Sequence, residues 1–475
     1  MAGGREIVAS LGVARESALL RYDDDSMKSY SSFRFTGYPW NHHAGKISLQ
    51  YALDRDVDFE ELIFLPEPVT DERLKAREWE IERLLFMLHL IGGISYYKTC
   101  LPKTIEVQSG QLTLPETKFW NTVYEKGLGE FFFRNDIDYR GLLKFPALKQ
   151  KEGPRTVMRK KDEENPLKRI LVPIGGGKDS VVTAEILKKS GANVTLLRME
   201  GHPLVDDLSH ALGLPMITVR RQLSPILFDL NEDGALNGHV PITAYLSILA
   251  VLLAELYDFD AVVMSNERSA NEGNVEYRGM TVNHQWSKSA EFERMLRNYL
   301  KNTVQTRVEY FSLLRPLSEL SITQIFAQYP QYFEKATSCN RNWKILEEER
   351  SDVRWCGTCP KCAFVFLCMA AFVSKTELLR TFGKNLFDDE SLLALYRELL
   401  GIERFKPFEC VGTIDEVRAA FLLAKAKGSL KGTPVMTMFE LEAFPRINDP
   451  EALIGSVLTP SKEHFVPPSL LPLLN

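Results

Sequence analysis

The sequence predicts an α/β protein: a doubly wound parallel sheet, with an α+β domain before it and a helical region carrying a cysteine cluster after it. Three observations predict this. Beyond residue 168, short apolar runs alternate with helical patterns, the order expected of parallel βαβ units. Ahead of residue 149, a period-two alternation of apolar and polar positions gives way to helical spacing. After residue 362 helices dominate as far as Lys427, and 475 residues exceed what a single hydrophobic core usually organises. The expected division is 1–165, 166–335 and 336–475, with the charge-rich stretch 149–168 and its Gly153, Pro154 and Pro166 as the first linker.

Within the first domain, residues 28–65 alternate around Phe33, Phe35, Tyr38, Ile47, Leu49 and Tyr51, broken at Gly37, Pro39 and Gly45, which predicts a small hairpin sheet. Trp79, Ile81, Leu84, Leu85, Met87, Leu88 and Leu90 follow one helical face across 71–92, with Asp71 as N-cap. A further helix is expected around 118–126. In the second domain, strands are expected at 170–174, 194–197, 216–219 and 261–264, and helices at 179–190, 203–212 and 242–256. Gly191 closes the first of these helices.

Composition excludes several classes. Hydrophobic residues at 45% and charged residues at 25% are ordinary for a globular protein, without collagen-like, disordered or disulfide-rich bias. A net charge of −5 and a pI near 6.0 lack the basic field that drives non-specific binding to phosphate backbones, so no nucleic-acid partner is expected. Residues 1–6 have no apolar run behind a basic start, so a cytoplasmic protein is expected. The longest apolar run, 242–254, is shorter than the roughly 20 helical residues a bilayer crossing needs, and reads as buried helix with no membrane role. Oligomeric state is not encoded in any recognisable pattern.

The chemistry starts at Gly175-Gly176-Gly177-Lys178-Asp179-Ser180, between a strand and a helix. Glycines let the turn take positive φ and let an anion approach the backbone, while free N–H groups and the positive helix end face it. Open α/β sheets place ligands at this end of the strands. No Walker A spacing occurs. The run resembles the S-G-G-x-D-S signature of the PP-loop ATP pyrophosphatases, of the adenine nucleotide alpha hydrolase fold, with Gly175 in place of Ser. That resemblance implies that ATP is split to AMP and pyrophosphate. Gly175, Gly176, Gly177, Lys178 and Ser180 would hold the outer phosphates, Asp179 would position Mg²⁺, and Arg198 and Met199 would receive adenine. Lys178 and Asp179 are both expected to project into an exposed cleft.

Two further clusters carry information. Cys356, Cys359 and Cys362 lie on a tight loop, with Cys339 upstream across a helix-like segment. Four thiolates suit a structural Zn²⁺, three suit an iron–sulfur cluster, and bare cysteines are the third reading. After the fourth strand, a polar strip contains Asn266, Glu267, Arg268 and Asn274, then His284, Ser287 and Lys288. It should overhang the phosphate loop as a substrate-binding surface, with the cations suited to carboxylate or phosphate and His284 to proton transfer.

Together with 315–320 and the cysteine loop, these motifs resemble the UDP-N-acetylmuramoyl-L-alanyl-L-glutamate epimerase family over about 38–416. The resemblance implies ATP- and Mg²⁺-dependent inversion of a terminal glutamate, with a UDP-N-acetylmuramoyl dipeptide as substrate and the first domain recognising it. A PP-loop ligase or amidotransferase such as 7-cyano-7-deazaguanine synthase, and a tRNA-modifying enzyme, are the alternatives. Inversion calls for acid/base groups on both faces of the α-carbon. His284 is one candidate. Cys410 is the other, because 413–416 fit a capping box and the thiol precedes that helix N-terminus, which favours thiolate.

Overall fold

The computed structural model describes residues 30–148, 167–343, 353–403 and 405–474. The expected linker lies almost wholly outside them, as does most of the segment between Cys339 and Cys356. Among the described residues there are twelve strands: β1 Ser32–Gly37, β2 Trp40–Asn41, β3 Lys46–Leu53, β4 Val57–Phe64, β5 Thr104–Val107, β6 Arg169–Pro173, β7 Asn193–Met199, β8 Met216–Gln222, β9 Ala261–Met264, β10 Val275–Tyr277, β11 Met280–Val282 and β12 Glu309–Ser312. Ten belong to one mixed sheet in the order β12-β9-β6-β7-β8-β4-β3-β1-β5, with β2 paired to β3; β10 and β11 form a separate hairpin.

The half β12-β9-β6-β7-β8 is parallel throughout. Its order reverses between β6 and β9, the switch point at which doubly wound sheets open a crevice. Period-two alternation divides its side chains between two cores. Leu171, Leu197, Val262 and Tyr310 face one; Ile170, Val172, Leu196, Val263 and Phe311 face the other. The first core is closed by the helices Glu78–Gly92 and Ile242–Leu256, the second by Lys178–Lys189, Glu319–Phe326, Pro360–Ala370 and Ile414–Lys427. The helix Ile242–Leu256 is therefore buried as expected, and among the described residues no helix is long and apolar enough to cross a membrane.

The N-terminal hairpins do not form a sheet of their own. β4 pairs antiparallel with β8, Ile63 opposite Arg221, and extends the parallel sheet. This junction is fixed by charge: Arg221 donates twice to buried Glu61, at 2.8 and 2.9 Å, and the Tyr245 and Tyr96 hydroxyls donate to the same carboxylate at 2.9 and 3.0 Å. All lone-pair directions of the buried acid are thereby used, as a buried charge requires.

Two expectations are corrected. The helix foreseen over 71–92 is two helices, Asp71–Ala76 and Glu78–Gly92, and the N-cap is Thr70, whose hydroxyl accepts from the Arg73 amide. The break at Arg77 lets Arg73 and Arg77 reach the C-terminal end of the helix Ile242–Leu256, where they meet the Leu256 carbonyl, Glu255 and Asp258. Cations at a helix C-terminus offset its dipole. The parallel set also has a fifth strand, β12, beyond the four expected.

Candidate active site

The glycine run forms the turn from β6 into the helix Lys178–Lys189. Gly176 takes φ +87°, a conformation that strains any residue with a Cβ. A Cβ at Gly175 would meet nothing within 4 Å, so the space beside the turn is open. Ser180 Oγ donates to the Gly177 carbonyl at 2.9 Å. Ile174 N–H donates to the Leu197 carbonyl at 2.8 Å, which puts Arg198 and Met199, the last residues of β7, beside the turn. Arg198 itself donates to Thr218 Oγ1 at 2.9 Å and pairs with Asp206 at 2.6 Å.

Lys178 departs from expectation, since its side chain is only 4% exposed. Its ammonium meets both Asp179 and the buried carboxylate of Glu319, whose other oxygen lies 3.6 Å from Lys361. Burial alone would raise the Glu319 carboxyl, but Lys178 and Lys361 outweigh it and hold the group down at about 2. Glu267, also buried, goes the other way: desolvation and the nearby Glu319 charge push it up to about 7. One carboxyl of the pair is thus ionised and the other is poised near neutrality.

The polar strip after β9 is held by Arg315, which is fully buried. Its guanidinium pairs with Glu293 at 3.0 Å and donates to the backbone carbonyls of Glu267 and Lys288. That brings the two parts of the strip together. Asn266 Nδ2 donates to Ser312 Oγ at 3.2 Å, and Ser287 is buried in the turn Trp286–Lys288. Asn274 accepts from the His284 amide at 2.9 Å and donates to the Pro407 carbonyl at 3.0 Å, tying the strip to the segment that carries Cys410. Arg268 is drawn elsewhere, donating to the carbonyls of Val457 and Thr459 at 2.8 and 2.9 Å.

His284 and Cys410, expected as separate groups, are brought close enough to shift each other's proton affinity. Lys288 Nζ lies 3.3 Å from Cys410 Sγ. Burial would push the thiol up, but Lys288 and His284 outweigh it and bring it down to about 5. Burial would likewise lower His284, yet Cys410 and Glu130 raise it to about 9. Glu130, on the helix Gly129–Arg134, meets His284 Nδ1 at 2.5 Å and His239 Nδ1 at 3.4 Å. The capping box foreseen at Thr413 and Glu416 is present on the helix that follows Cys410.

The cysteine cluster is formed. Sγ atoms of Cys339, Cys356, Cys359 and Cys362 all lie within 4.8 Å of one another, with separations of 3.4, 3.7 and 3.9 Å for three of the pairs. A tetrahedral zinc site with Zn–S near 2.3 Å requires S···S of about 3.8 Å. Gly357 turns at φ +68°, where a Cβ would fall 2.8 Å from Lys384 Cε. The segment entering the cluster also touches the glycine turn: the Thr337 amide donates to the Gly176 carbonyl at 2.8 Å.

Sequence reasoning missed Glu319, Lys361, Glu130, His239 and Glu409. Glu319 lies in the stretch 315–320 and Lys361 in the cysteine loop 356–362, and charge at these positions was the available signal. Glu130 lies in the N-terminal half and gave none. Glu409 is a half-buried carboxyl next to Cys410, pushed up to about 7 by desolvation, with a buried Oε2 that has no hydrogen-bond partner among the described residues.

The chain matches the family model of the MurL N-terminal domain over residues 24–313 and that of the MurL C-terminal domain over 335–452. It is similar to a UDP-N-acetyl-alpha-D-muramoyl-L-alanyl-L-glutamate epimerase of Xanthomonas oryzae pv. oryzae, 37% identical over 441 residues, covering 93% of this chain and 96% of the relative. A second epimerase of the same name, from Salinispora tropica, is 38% identical over 450 residues, covering 94% and 95%. A shorter similarity, 26% over 174 residues, covers 30% of this chain and 38% of 7-cyano-7-deazaguanine synthase 2 of Sulfurisphaera tokodaii. With both family models and full-length relatives in agreement, the chain is an epimerase and belongs to the MurL family of UDP-N-acetyl-alpha-D-muramoyl-L-alanyl-L-glutamate epimerases.

Proposed function

We propose that this enzyme inverts the terminal L-glutamate of UDP-N-acetylmuramoyl-L-Ala-L-Glu to D-glutamate in peptidoglycan precursor synthesis, through an acyl-adenylate, with release of AMP and pyrophosphate. The observation that carries the ATP-dependent part is the open glycine turn after β6, backed by Lys178 and Asp179 and facing the strip after β9. The similarity to a 7-cyano-7-deazaguanine synthase supports a PP-loop fold for this half. The residues 1–165, 166–335 and 336–475 then divide into substrate recognition, nucleotide binding and the cysteine-cluster region.

The α-proton beside a carboxylate is very weakly acidic, because its removal builds a second negative charge next to the first. ATP, bound with Mg²⁺, supplies activation by converting that carboxylate into a mixed anhydride, an electron-poor acyl group. The amides of Gly175, Gly176 and Gly177 and the N-terminus of the following helix receive the outer phosphates, with Ser180 beside them. Lys178 counters charge on the departing pyrophosphate, and Asp179, a quarter exposed at the rim, orients the cation. Arg198 and Met199 border the adenine. Asn266, Glu267, Asn274, Ser287 and Lys288 line the glutamyl end, while Arg268 supports the strip from behind. His284 and Cys410 carry the chemistry of inversion. The thiol spacings fit Zn²⁺ at Cys339, Cys356, Cys359 and Cys362, which would hold it as a structural ion and so steady Thr337 against the glycine turn.

The test is the reaction in D₂O. Product D-glutamyl dipeptide should carry α-deuterium, only when ATP and Mg²⁺ are present, with AMP and pyrophosphate formed and no ADP. Free L-glutamate should react poorly, since binding energy from the nucleotide-sugar is then lost. Inversion without ATP refutes the mechanism. ATP cleavage with retained stereochemistry moves the chain to the ligase reading.

A further inference from the structure

The contact between Cys410 and His284 has a third member and a fourth that proton transfer alone does not require. Glu130 holds His284 Nδ1 from the N-terminal half of the chain and is itself fixed by the Arg134 guanidinium at 2.6 Å. With Nδ1 engaged by Glu130, Nε2 is the ring nitrogen that remains for a second partner. Lys288, 3.3 Å from the sulfur, stands where it offsets negative charge on it. A sulfur, an imidazole and a carboxylate grouped together, with a cation beside the sulfur, are the kinds of group that serve as nucleophile, base and orienting acid in covalent catalysis.

We propose that Cys410 takes the acyl group of the substrate's terminal glutamate as a thioester, with His284, oriented by Glu130, and Lys288 serving that step. This rests on the acyl-adenylate reading above. The thiolate attacks the adenylate carbonyl carbon; the C–S bond forms, the bond from that carbon to the AMP phosphate oxygen breaks, and AMP leaves with the electron pair. His284 then has no thiolate to pair with and gives up its proton to solvent. It becomes a neutral base, with Lys288 free to face the carbonyl oxygen as the α-proton leaves and charge moves onto that oxygen. His284 takes the α-proton, solvent water protonates the α-carbon from the opposite face, and the hydroxide so formed is neutralised by the proton on His284. Water attacks the thioester, the C–S bond breaks, the sulfur recovers the electron pair and Lys288, and the free carboxylate is released with a proton.

Acylation of Cys410 fits the thiol better than a purely proton-moving role. A thiol held well below its ordinary value is a poor acceptor for a weakly acidic C–H, whereas its nucleophilicity falls only with a Brønsted slope of about 0.4–0.5. The site favours bonding to carbon over bonding to hydrogen.

The experiment uses the full-length enzyme with ATP, Mg²⁺ and a UDP-N-acetylmuramoyl dipeptide whose terminal residue carries an α-methyl group, which blocks proton removal and slows hydrolysis. Rapid acid quench and peptide mapping should find a hydroxylamine-labile acyl adduct on the peptide containing Cys410, and ATP–pyrophosphate exchange should be present. AMP release and exchange with no adduct on Cys410 overturn the thioester. Absence of exchange overturns the adenylation reading first, so the two failures are distinguishable. Glu130→Gln tests the positioning role: adduct formation should slow by at least about tenfold, as when the orienting acid of a triad is lost. It should also move the pH midpoint of Cys410 alkylation by iodoacetamide upward. An unmoved midpoint overturns Glu130 as a positioning residue.

Discussion

Replacing Glu319 by glutamine keeps the shape of the side chain and removes one charge from between Lys178 and Lys361. In the folded protein the Glu319 carboxyl lies at about 2 instead of its ordinary 4.5, a difference of about 2.5 pH units. At about 1.4 kcal/mol per unit this is about 3 kcal/mol of stability at pH 7, in line with the cost of breaking a buried ion pair from one side. The sign follows from the depressed folded value. The contribution is complete above pH 4.5 and is lost as the pH falls towards 2. At pH 3.5 about 2 kcal/mol should remain. Urea unfolding of wild type and Glu319→Gln, followed by tryptophan fluorescence at pH 7, 5 and 3.5, measures the difference directly. Equal stabilities at pH 7, or a gap that does not narrow at pH 3.5, would refute the ion-pair account and point to packing.

Asp179→Ala and Lys178→Ala should each lower pyrophosphate release by about 10²-fold or more, the scale for removing a charge-stabilising group. They should differ in stability: Lys178→Ala strands buried Glu319 and should unfold at lower urea, whereas Asp179→Ala should not. Elemental analysis of untagged protein should find one zinc per chain, and Cys356→Ser should lose it; finding neither zinc nor iron would discard the metal site. Because Thr337 is tied to Gly176, that variant should also raise the KM for ATP, and an unchanged KM would mean the cluster and the turn are independent.

Local signals were legible and non-local ones were not. The helices at Pro203–Leu212 and Ile242–Leu256 and the strand Ala261–Met264 were readable to the residue, because proline, apolar spacing and flanking polar residues mark their ends. β12 was missed because Glu309–Ser312 is short and mixes charge with aromatics. The break at Arg77 depends on acids some 180 residues away, which no local pattern reveals. The glycine turn was visible as glycines between strand and helix. The burial of Lys178 was not, since its partner Glu319 lies 141 positions downstream. Likewise His284 and Cys410 were each noticed for their own chemistry, but their contact joins segments 126 residues apart, and Glu130 arrives from a third.

The pairing of β4 with β8 bears on how the gene can be cut. A fragment beginning at residue 167 would carry β8 as a bare edge and Arg221 with no carboxylate to meet, while a fragment ending at 148 would carry Glu61 without its cation. Neither piece is a self-sufficient unit for expression or crystallisation, and the open strand on each is a template for aggregation. Co-expressed, the two pieces hold matching halves of one ladder, so they should reassemble through β4 and β8 into a nicked enzyme. Split-protein reporters of this family would then be cut between 148 and 167, with Glu61 and Arg221 left unaltered.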